Sequence, residues 1–181
     1  MAIIPITVYG DKILRQKTKK INQIDDEIIV KIKDMFETMH NAHGIGLAAN
    51  QVGFNESIFV VDLSQVEGYE KIKPVVMINP EIIEESPEKV VMEEGCLSLP
   101  LLKAEVERSQ IIKVKFIDTD ENEQTLEADE LFARVILHEY DHLQGKMIPD
   151  RVTPDVKKKL QAELKKIMNR EIKIDYPITQ K

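Results

Sequence analysis

The chain has 181 residues, a mass of 20.8 kDa and a formal net charge of −7, with 43% hydrophobic and 31% charged residues. These values are typical of one folded domain, which we expect to span residues 1–181, and they exclude a disordered or fibrous chain. The negative charge argues against a general nucleic-acid binder, so no specific DNA partner is expected, and no apolar run reaches the roughly 20 residues of a membrane-spanning helix.

The first predicted element is a helix over residues 25–44, where apolar residues recur at helical spacing. Asp25 or Asp26 is expected to cap its N-terminus and Gly44 to end it. Short runs rich in β-branched residues follow, separated by Asn-Pro, Ser-Pro and Asp/Asn turn signals. They predict strands over residues 57–63, 75–80, 89–92, 111–117 and 123–128.

Two further helices are predicted in the last third of the chain. Asp129 is expected to cap the first of them and Gly145 to end it. The second is amphipathic, begins near Pro154 and places these apolar residues on one face: Val156, Leu160, Leu164, Ile167 and Met168. Strands bracketed by helices predict an α+β fold, in which mostly antiparallel sheets pack around a central helix that carries the HEYDH sequence, with an N-terminal helix and a C-terminal amphipathic helix.

The charge is distributed unevenly along the chain. Residues 151–181 contain nine Lys or Arg against four Asp or Glu, a net of +5, whereas the first 150 residues carry −12. A basic tail on an acidic body could contact an anionic partner such as RNA, and the plainer interpretation is a solvated helix face.

The stretch HEYDH, residues 138–142, predicts a metal site. His138 and His142 are four residues apart and therefore share one face of a helix. Burying two imidazoles and a carboxylate together without a cation would be costly, so a metal ion is expected, with Glu139 beside its open side. His40 and His43, at the end of the first predicted helix, are expected to interact with its dipole and to stay outside the site.

Two nitrogen ligands alone make a weak site, so a third ligand must come from elsewhere. A downstream third histidine is excluded because that position holds Ile148. Glu163 or Glu171 could serve, as in thermolysin-like enzymes, and so could Cys96 in the segment EEGCLSLP. Cys96 is the only cysteine, which excludes an intrachain disulfide and is typical of a reducing, cytoplasmic compartment. The residues leave these candidates open.

The segment GIGLAA, residues 44–49, matches a dinucleotide-binding pattern of glycines. Its glycines follow a helix rather than a strand, and too little chain precedes the next strand for the required helix. Dinucleotide binding is therefore not expected. Gly44 and Gly46 instead indicate backbone that another group approaches closely.

Three segments, GIGLAANQ (44–51), EGCLS (94–98) and HEYDH (138–142), resemble in order and spacing the signature motifs of the peptide deformylases. The resemblance extends through nearly the whole chain, including DKILRQKTKKI and ADELFARVILHEYDHLQGKMIPDRV. It implies a compact α+β hydrolase that removes the formyl group from the initiator N-formylmethionine of nascent polypeptides and releases formate. It also implies one divalent ion, Fe2+ physiologically, with Zn2+, Ni2+ or Co2+ as alternatives in purified protein.

Carried onto this chain, the resemblance gives Cys96, His138 and His142 as metal ligands and Glu139 as the general acid/base. An open metal position would hold a water whose pKa falls toward neutrality, and Glu139 would pass its proton to the leaving amine.

The resemblance also assigns the substrate contacts. Gln51 and the backbone N–H of Leu97 would donate to the formyl oxygen, stabilising the oxyanion that forms there. The peptide would add as a strand next to the strand after the cysteine, and its methionine would enter an apolar pocket. The residues implied for these two contacts are Ile45, Gly46, Leu131 and Val135.

The chain departs from the family pattern at two positions. Leu137 stands where many members have glutamine, and Leu101 where many have glycine, so pocket details and substrate preference are affected rather than the reaction. Asp141 is expected to form an ion pair with Arg108 that ties helix to strand.

Two other functions remain open from the sequence. One is a zinc endopeptidase that uses Glu163 or Glu171 as its third ligand, and the other is a deformylase-like protein with a non-catalytic metal. In the family the basic C-terminal helix can dock on the ribosome, and the +5 tail makes the ribosome an expected partner here.

Overall fold

The structure, a computed structural model, describes residues 2–181. Within that range the helices are α1 (Asp26–Asn41), α2 (Glu130–Leu143), α3 (Pro154–Lys159) and α4 (Gln161–Met168). The strands are β1 (Gly46–Ala48), β2 (Ile58–Val61), β3 (Val75–Glu85), β4 (Lys89–Cys96), β5 (Leu99–Ser109), β6 (Ile111–Ile117) and β7 (Glu123–Asp129). No helix of the described chain has the length and apolar character needed to cross a membrane.

The strands form two antiparallel sheets. Across residues 2–181, five strands pair in the order β1-β2-β3-β6-β7, and β4 and β5 form a separate hairpin. The antiparallel sheets and the helices confirm the predicted α+β fold class. All five predicted strands are present, and β3 and β4 are longer than predicted.

Strands β1 and β5 were not predicted from the strand pattern. In β5 the buried positions alternate with exposed ones, but one buried position is Arg108 and three exposed positions are charged. A strand in which charged residues outnumber the β-branched ones gives a weak signal. Strand β1 has only three residues, which is too short for any periodicity to be visible.

The helix boundaries agree with the predictions only in part. Asp25 caps α1 as expected, its side chain accepting from Ile28 N–H at 2.9 Å, but the helix ends at Asn41, and His43 rather than Gly44 takes the left-handed conformation (φ 55°). Asp129 precedes α2 without a side-chain capping bond. The prediction of a single C-terminal helix from Pro154 is wrong. The segment forms two helices, α3 and α4, which are separated at Leu160, where ψ is −10°.

Helix α2 joins the two sheets. Its apolar residues, Phe132, Val135 and Ile136 among them, pack in one core cluster with Phe59 and Met77 of the five-stranded sheet. Its polar residues contact the β4–β5 hairpin instead: Arg134, His138 and Asp141 bond to Glu94, Val106 or Arg108. The histidines of α2 are therefore held next to the end of β4, where the cysteine lies.

Candidate metal centre and active-site cleft

One cysteine and two histidines converge where β4 meets α2. The Sγ atom of Cys96 lies 3.2 Å from Nε2 of His142, and the Nε2 atoms of His142 and His138 are 3.3 Å apart. Among residues 2–181 this is the group of acidic, cysteine and histidine side chains whose donor atoms could hold a metal, all within 4.8 Å of one another. Glu163 and Glu171 lie outside the group and are exposed, so Cys96 is the third candidate ligand.

The spacing of these donors fits a divalent ion. A tetrahedral ion with Zn–N of about 2.05 Å and Zn–S of about 2.3 Å needs N···N separations of roughly 3.4 Å and N···S separations of roughly 3.6 Å. The observed 3.3 Å and 3.2 Å are close to these edges. Thiolate and imidazole donors are compatible with iron or zinc, so the residues present fit the metal that the sequence predicts.

His138 is oriented by a carboxylate that the sequence analysis did not single out. Its Nδ1 lies 3.0 Å from Oε2 of Glu94, so an N–H there donates to the carboxylate and leaves Nε2 free for a metal. Burial favours the neutral form of Glu94, but the hydrogen bonds from His138 and Arg108 outweigh it and lower the pKa of Glu94 to about 2.

Glu94 belongs to a buried cluster of charges, which we call the charge hub: Glu94, Arg108, Arg134 and Asp141. Both Arg108 and Arg134 donate to Glu94, at 2.6 and 2.7 Å. The predicted pair of Arg108 and Asp141 is confirmed, with a separation of 2.8 Å, and Arg151 contacts the same aspartate from outside. The hub ties α2 to β4 and β5 beneath the metal ligands.

Glu139 differs from the hub carboxylates because one of its two oxygens lacks a hydrogen-bond partner. It is 3% exposed, and its Oε2 has no hydrogen-bond partner within the described range. Burial raises the pKa of Glu139 to about 7, although the neighbouring imidazole of His138 opposes the rise. A carboxyl group with a pKa near neutrality can both accept and return a proton.

The two glycines of the first motif make room for the site. A Cβ atom at Gly46 would lie 2.5 Å from Oε1 of Glu139, and one at Gly44 would lie 2.7 Å from Cδ1 of Leu97. The prediction that another group approaches this backbone closely is confirmed, and the groups are the side chains of Glu139 and Leu97.

Gln51 is held with its amide nitrogen toward the cysteine. It lies in the 3-10 helix Ala49–Val52, where its Oε1 accepts from the N–H of Ala48 at 2.8 Å. With the oxygen engaged, Nε2 lies 3.6 Å from Sγ of Cys96 and 3.2 Å from Oγ of Ser98. Leu97 and Ser98 form the turn between β4 and β5.

These groups line a cleft of about 560 Å³. Nearly all predicted site residues border it: Ile45, Gly46, Gln51, Cys96, Leu97, Leu131, Val135, His138 and Glu139. His142 lies beneath, fully buried. Side chains not predicted for the site border it as well: His43, Leu101, Arg134 and Tyr176. Tyr176 is 79 positions from Leu97, the cleft residue to which it bonds, so no local sequence pattern could have predicted it.

The remaining histidines have other partners than expected. His40 is paired with a carboxylate, its Nε2 lying 2.8 Å from Oδ2 of Asp62, and it is not part of the metal group. His43 is not part of the metal group either, as predicted. It does border the cleft, so the prediction that it lies outside the site is wrong in that respect.

Both departures from the family pattern have a structural setting. Leu137 is buried in the core between α2 and the five-stranded sheet. Leu101 has φ of 66°, a conformation that favours glycine, and is 79% exposed at the cleft rim. Glycine, which the family pattern has at this position, adopts such a φ angle without strain, whereas leucine does so at an energetic cost.

A cysteine and two histidines grouped at the floor of an open cleft, with a buried carboxyl group beside them, define the site of a metal-dependent hydrolase. The family model for polypeptide deformylase matches residues 3–158, and the chain belongs to this family.

Relatives and solved structures agree with this assignment. The peptide deformylase of Salinibacter ruber is 42% identical over 186 residues, covering 99% of this chain and 95% of the relative. Peptide deformylase 1 of Clostridium acetobutylicum is 48% identical over 152 residues, covering 84% of this chain and 96% of the relative. The crystal structure of the Thermotoga maritima peptide deformylase has a TM-score of 0.79 at 42% identity, covering 85% of this chain and 100% of that one. The Synechococcus elongatus enzyme, solved in complex with actinonin, has a TM-score of 0.81 at 37% identity, covering 97% of this chain and 92% of that one.

Proposed function

We propose that the protein is a peptide deformylase, which hydrolyses the N-formyl group of formylmethionyl peptides and releases formate. The observation that carries this proposal is that Cys96, His138, Glu139 and Gln51 border one cleft of about 560 Å³, with His142 beneath it as the third member of the metal group. We further propose that residues 1–181 form one catalytic domain around α2 as its central helix. The cytoplasm stays the predicted compartment, on the basis of the single cysteine.

Cys96, His138 and His142 would hold the divalent ion, which we propose to be Fe2+ in the cell, with Zn2+, Ni2+ or Co2+ able to replace it. When bound, such an ion supplies an activated water and polarises the formyl oxygen. Glu94 keeps His138 in the tautomer that presents Nε2, and a thiolate ligand makes the site sensitive to oxidation.

Glu139 acts as the proton carrier. Its unpaired Oε2, buried beside the metal ligands, lets it take the proton of the attacking water and deliver it to the amine that leaves. The proton therefore travels from water to the new N-terminus of the peptide, while the formyl group departs as formate.

Gln51 and the N–H of Leu97 stabilise the oxygen that becomes negative during attack. Gln51 presents an amide nitrogen that the bond from Ala48 keeps in place, so little reorganisation is needed when charge develops. Removing one such donor typically reduces kcat by about 10²-fold or more.

The substrate lies between two strand edges. Residues Gly46 to Ala48 of β1 pair with β2 on one side only, because β1 ends the order of the five-stranded sheet, and the β4–β5 hairpin faces it across the cleft. Ile45 and Gly46 are proposed to pair with the peptide backbone. Leu131 and Val135 give the methionine side chain an apolar wall.

The ribosome is the proposed macromolecular partner. Helix α4 buries Leu164 and Ile167, Leu160 is buried between α3 and α4, and most lysines of the two helices are in solvent. Binding through such a face falls steeply with salt, so sedimentation with ribosomes at low and high salt, with Lys158→Glu and Lys165→Glu as variants, tests this partner.

The experiment for the reaction is formate release from a formylmethionyl tripeptide, run anaerobically after loading with Fe2+. We expect rapid release by the parent protein, loss of activity in Cys96→Ala with loss of metal, and inhibition of the parent by actinonin. A parent protein that holds the metal and releases no formate would contradict the proposal. Retention of the metal by Cys96→Ala would instead favour the endopeptidase.

A further inference from the structure

The C-terminal residues do not extend away from the protein. Residues 170–181, which we call the C-terminal strap, follow α4 and run beside the N-terminal segment. The N–H of Ile6 donates to the carbonyl of Pro177 at 2.9 Å, and the N–H of Thr179 donates to the carbonyl of Ile6 at 3.0 Å. Ile6 and Ile178 form a parallel bridge. The strap therefore has a fixed register against the first residues of the chain.

Polar side chains lock that register. Asp11 accepts from Oγ1 of Thr179 at 2.6 Å and from Nη2 of Arg170 at 2.5 Å. Arg170 also donates through Nε to the carbonyl of Thr179 at 3.1 Å. Because one arginine and one threonine bond to the same carboxylate and to each other, both ends of the strap are pinned beside the start of the chain.

Tyr176 is the point at which the strap reaches the cleft. Its hydroxyl donates to the carbonyl of Leu97 at 2.9 Å, and the residue borders the cleft, as His43 and Gly44 also do. The ring also packs against the core cluster that includes Met39. A tyrosine placed in this way has an apolar body that is buried and a hydroxyl that is committed to one partner.

The turn that Tyr176 contacts is held from several directions. The N–H of Tyr9, in the N-terminal segment, donates to the carbonyl of Ser98 at 2.9 Å, and Gln51 donates to the hydroxyl of Ser98 at 3.2 Å. The two successive carbonyls of Leu97 and Ser98 are thus bound by opposite ends of the chain. The Leu97–Ser98 peptide plane directly follows the plane that carries the Leu97 N–H, and it cannot rotate without breaking the bond from Tyr176.

We propose that Tyr176 is a positioning residue of the active site, whose hydroxyl holds the Leu97–Ser98 peptide so that the Leu97 N–H stays aimed at the formyl oxygen. This inference rests on the proposed function, because it concerns the donor that stabilises the reacting oxygen. A donor that is aimed correctly only part of the time stabilises the transition state less, while binding of the rest of the peptide is hardly changed.

The test is Tyr176→Phe, which removes one oxygen atom and keeps the ring, in the full chain loaded with Fe2+. We expect kcat to fall about 5- to 10-fold, less than the roughly 10²-fold typical of deleting a donor outright, with KM within about twofold of the parent value. In NMR spectra of the Zn2+-loaded protein, the backbone amide resonance of Ser98 should shift. The nitrogen of Ser98 belongs to the Leu97–Ser98 peptide bond, which loses its hydrogen bond from Tyr176 in this variant.

Thr179→Val is the matched control, because it removes a strap anchor away from the cleft. It should lower the melting temperature while kcat at 25 °C stays within about twofold of the parent. An unchanged kcat in Tyr176→Phe, or equal losses in both variants, would overturn the proposal. A parent without formate release would contradict the proposed function instead, so the two failures are distinguishable.

Discussion

Two buried carboxyl groups close to His138 behave in opposite ways. Glu94 and Glu139 are 6% and 3% exposed, so burial alone would raise the pKa of both. Glu94 accepts hydrogen bonds from Arg108, Arg134 and His138, and its pKa falls to about 2. Glu139 has an unpaired oxygen, and its pKa rises to about 7. The pKa values of the two carboxyl groups therefore differ because of their hydrogen-bond partners and not because of their burial.

The comparison indicates how the protein divides its polar groups. Groups that are fully paired, as in the charge hub, hold α2 against the β4–β5 hairpin and fix one metal ligand. Of the four buried side-chain polar atoms without a partner among the described residues, Oε2 of Glu139 and Nδ1 of His142 lie at or beside the centre where chemistry is proposed, and the other two are Oδ1 of Asn50 and Oδ1 of Asn55. Buried groups are normally satisfied, so the exceptions are informative.

The largest effect is expected where the unpaired carboxylate is removed. Glu139→Gln keeps the side-chain shape but cannot carry the proton, so kcat for formate release should fall by about 10²- to 10⁴-fold with the metal retained. Elemental analysis and formate release check the two halves of this prediction. Glu163→Gln, an exposed glutamate of α4, is the control and should keep the parent rate. A normal kcat in Glu139→Gln would mean that Glu139 does not carry the proton.

Breaking the hub should instead affect stability. Arg108→Leu removes the donors to Glu94 and Asp141 and leaves both carboxylates buried, so the free energy of unfolding should fall by about 3–5 kcal/mol. Urea denaturation of the metal-free protein measures this loss. Arg151→Leu is the control: it contacts the same aspartate from a side chain that is 40% exposed, so a loss of only about 1 kcal/mol is expected. Equal losses would mean that burial does not distinguish the two pairs.

Much of this arrangement could be predicted from the sequence. The spacing of His138 and His142 predicts two ligands on one face of a helix, and glycines 44 and 46 predict a close approach. The residues alone did not choose between Cys96 and the two glutamates as third ligand, because the end of β4 is brought to α2 only by the folded hairpin. The family resemblance supplied that choice.

The hub and the strap could not be predicted in this way. Glu94 lies next to another glutamate, in a chain where charged residues are common, and nothing local distinguishes a buried carboxylate from a solvated one. Its burial depends on Arg108 and Arg134, which come from β5 and α2. Tyr176 reaches the cleft because residues far apart in sequence pair at Ile6, and sequence periodicity carries no information about such contacts.

A smaller effect is expected at Leu101, where the backbone of the cleft rim is strained. Leu101 holds φ at 66°, which costs an L-residue about 1–2 kcal/mol, and its side chain is mostly in solvent. Leu101→Gly relieves this strain but gives the unfolded chain more freedom, so the net gain in stability should be at most about 1 kcal/mol. Thermal unfolding of the metal-free protein measures it. Glu105→Gly, at an exposed position of the same strand, should lose about 0.5–1 kcal/mol, and a loss in both variants would contradict the strain at Leu101.

The smallest effect is expected at Asp11, the anchor of the strap. Burial opposes its charged form, but hydrogen bonds from Thr179 and Arg170 outweigh burial and hold the pKa of Asp11 below its ordinary value of 3.8. A carboxyl group whose pKa is lower in the folded state stabilises the protein above its ordinary pKa, and that contribution is lost as the pH falls through the lowered value. Asp11→Asn lacks this contribution.

The difference in unfolding free energy between the parent and Asp11→Asn should therefore be constant near neutral pH and shrink as the pH is lowered below about 4. Urea denaturation of the metal-free proteins at several pH values measures it. A difference that does not change with pH would mean that the bonds from Thr179 and Arg170 do not hold Asp11 in its charged form.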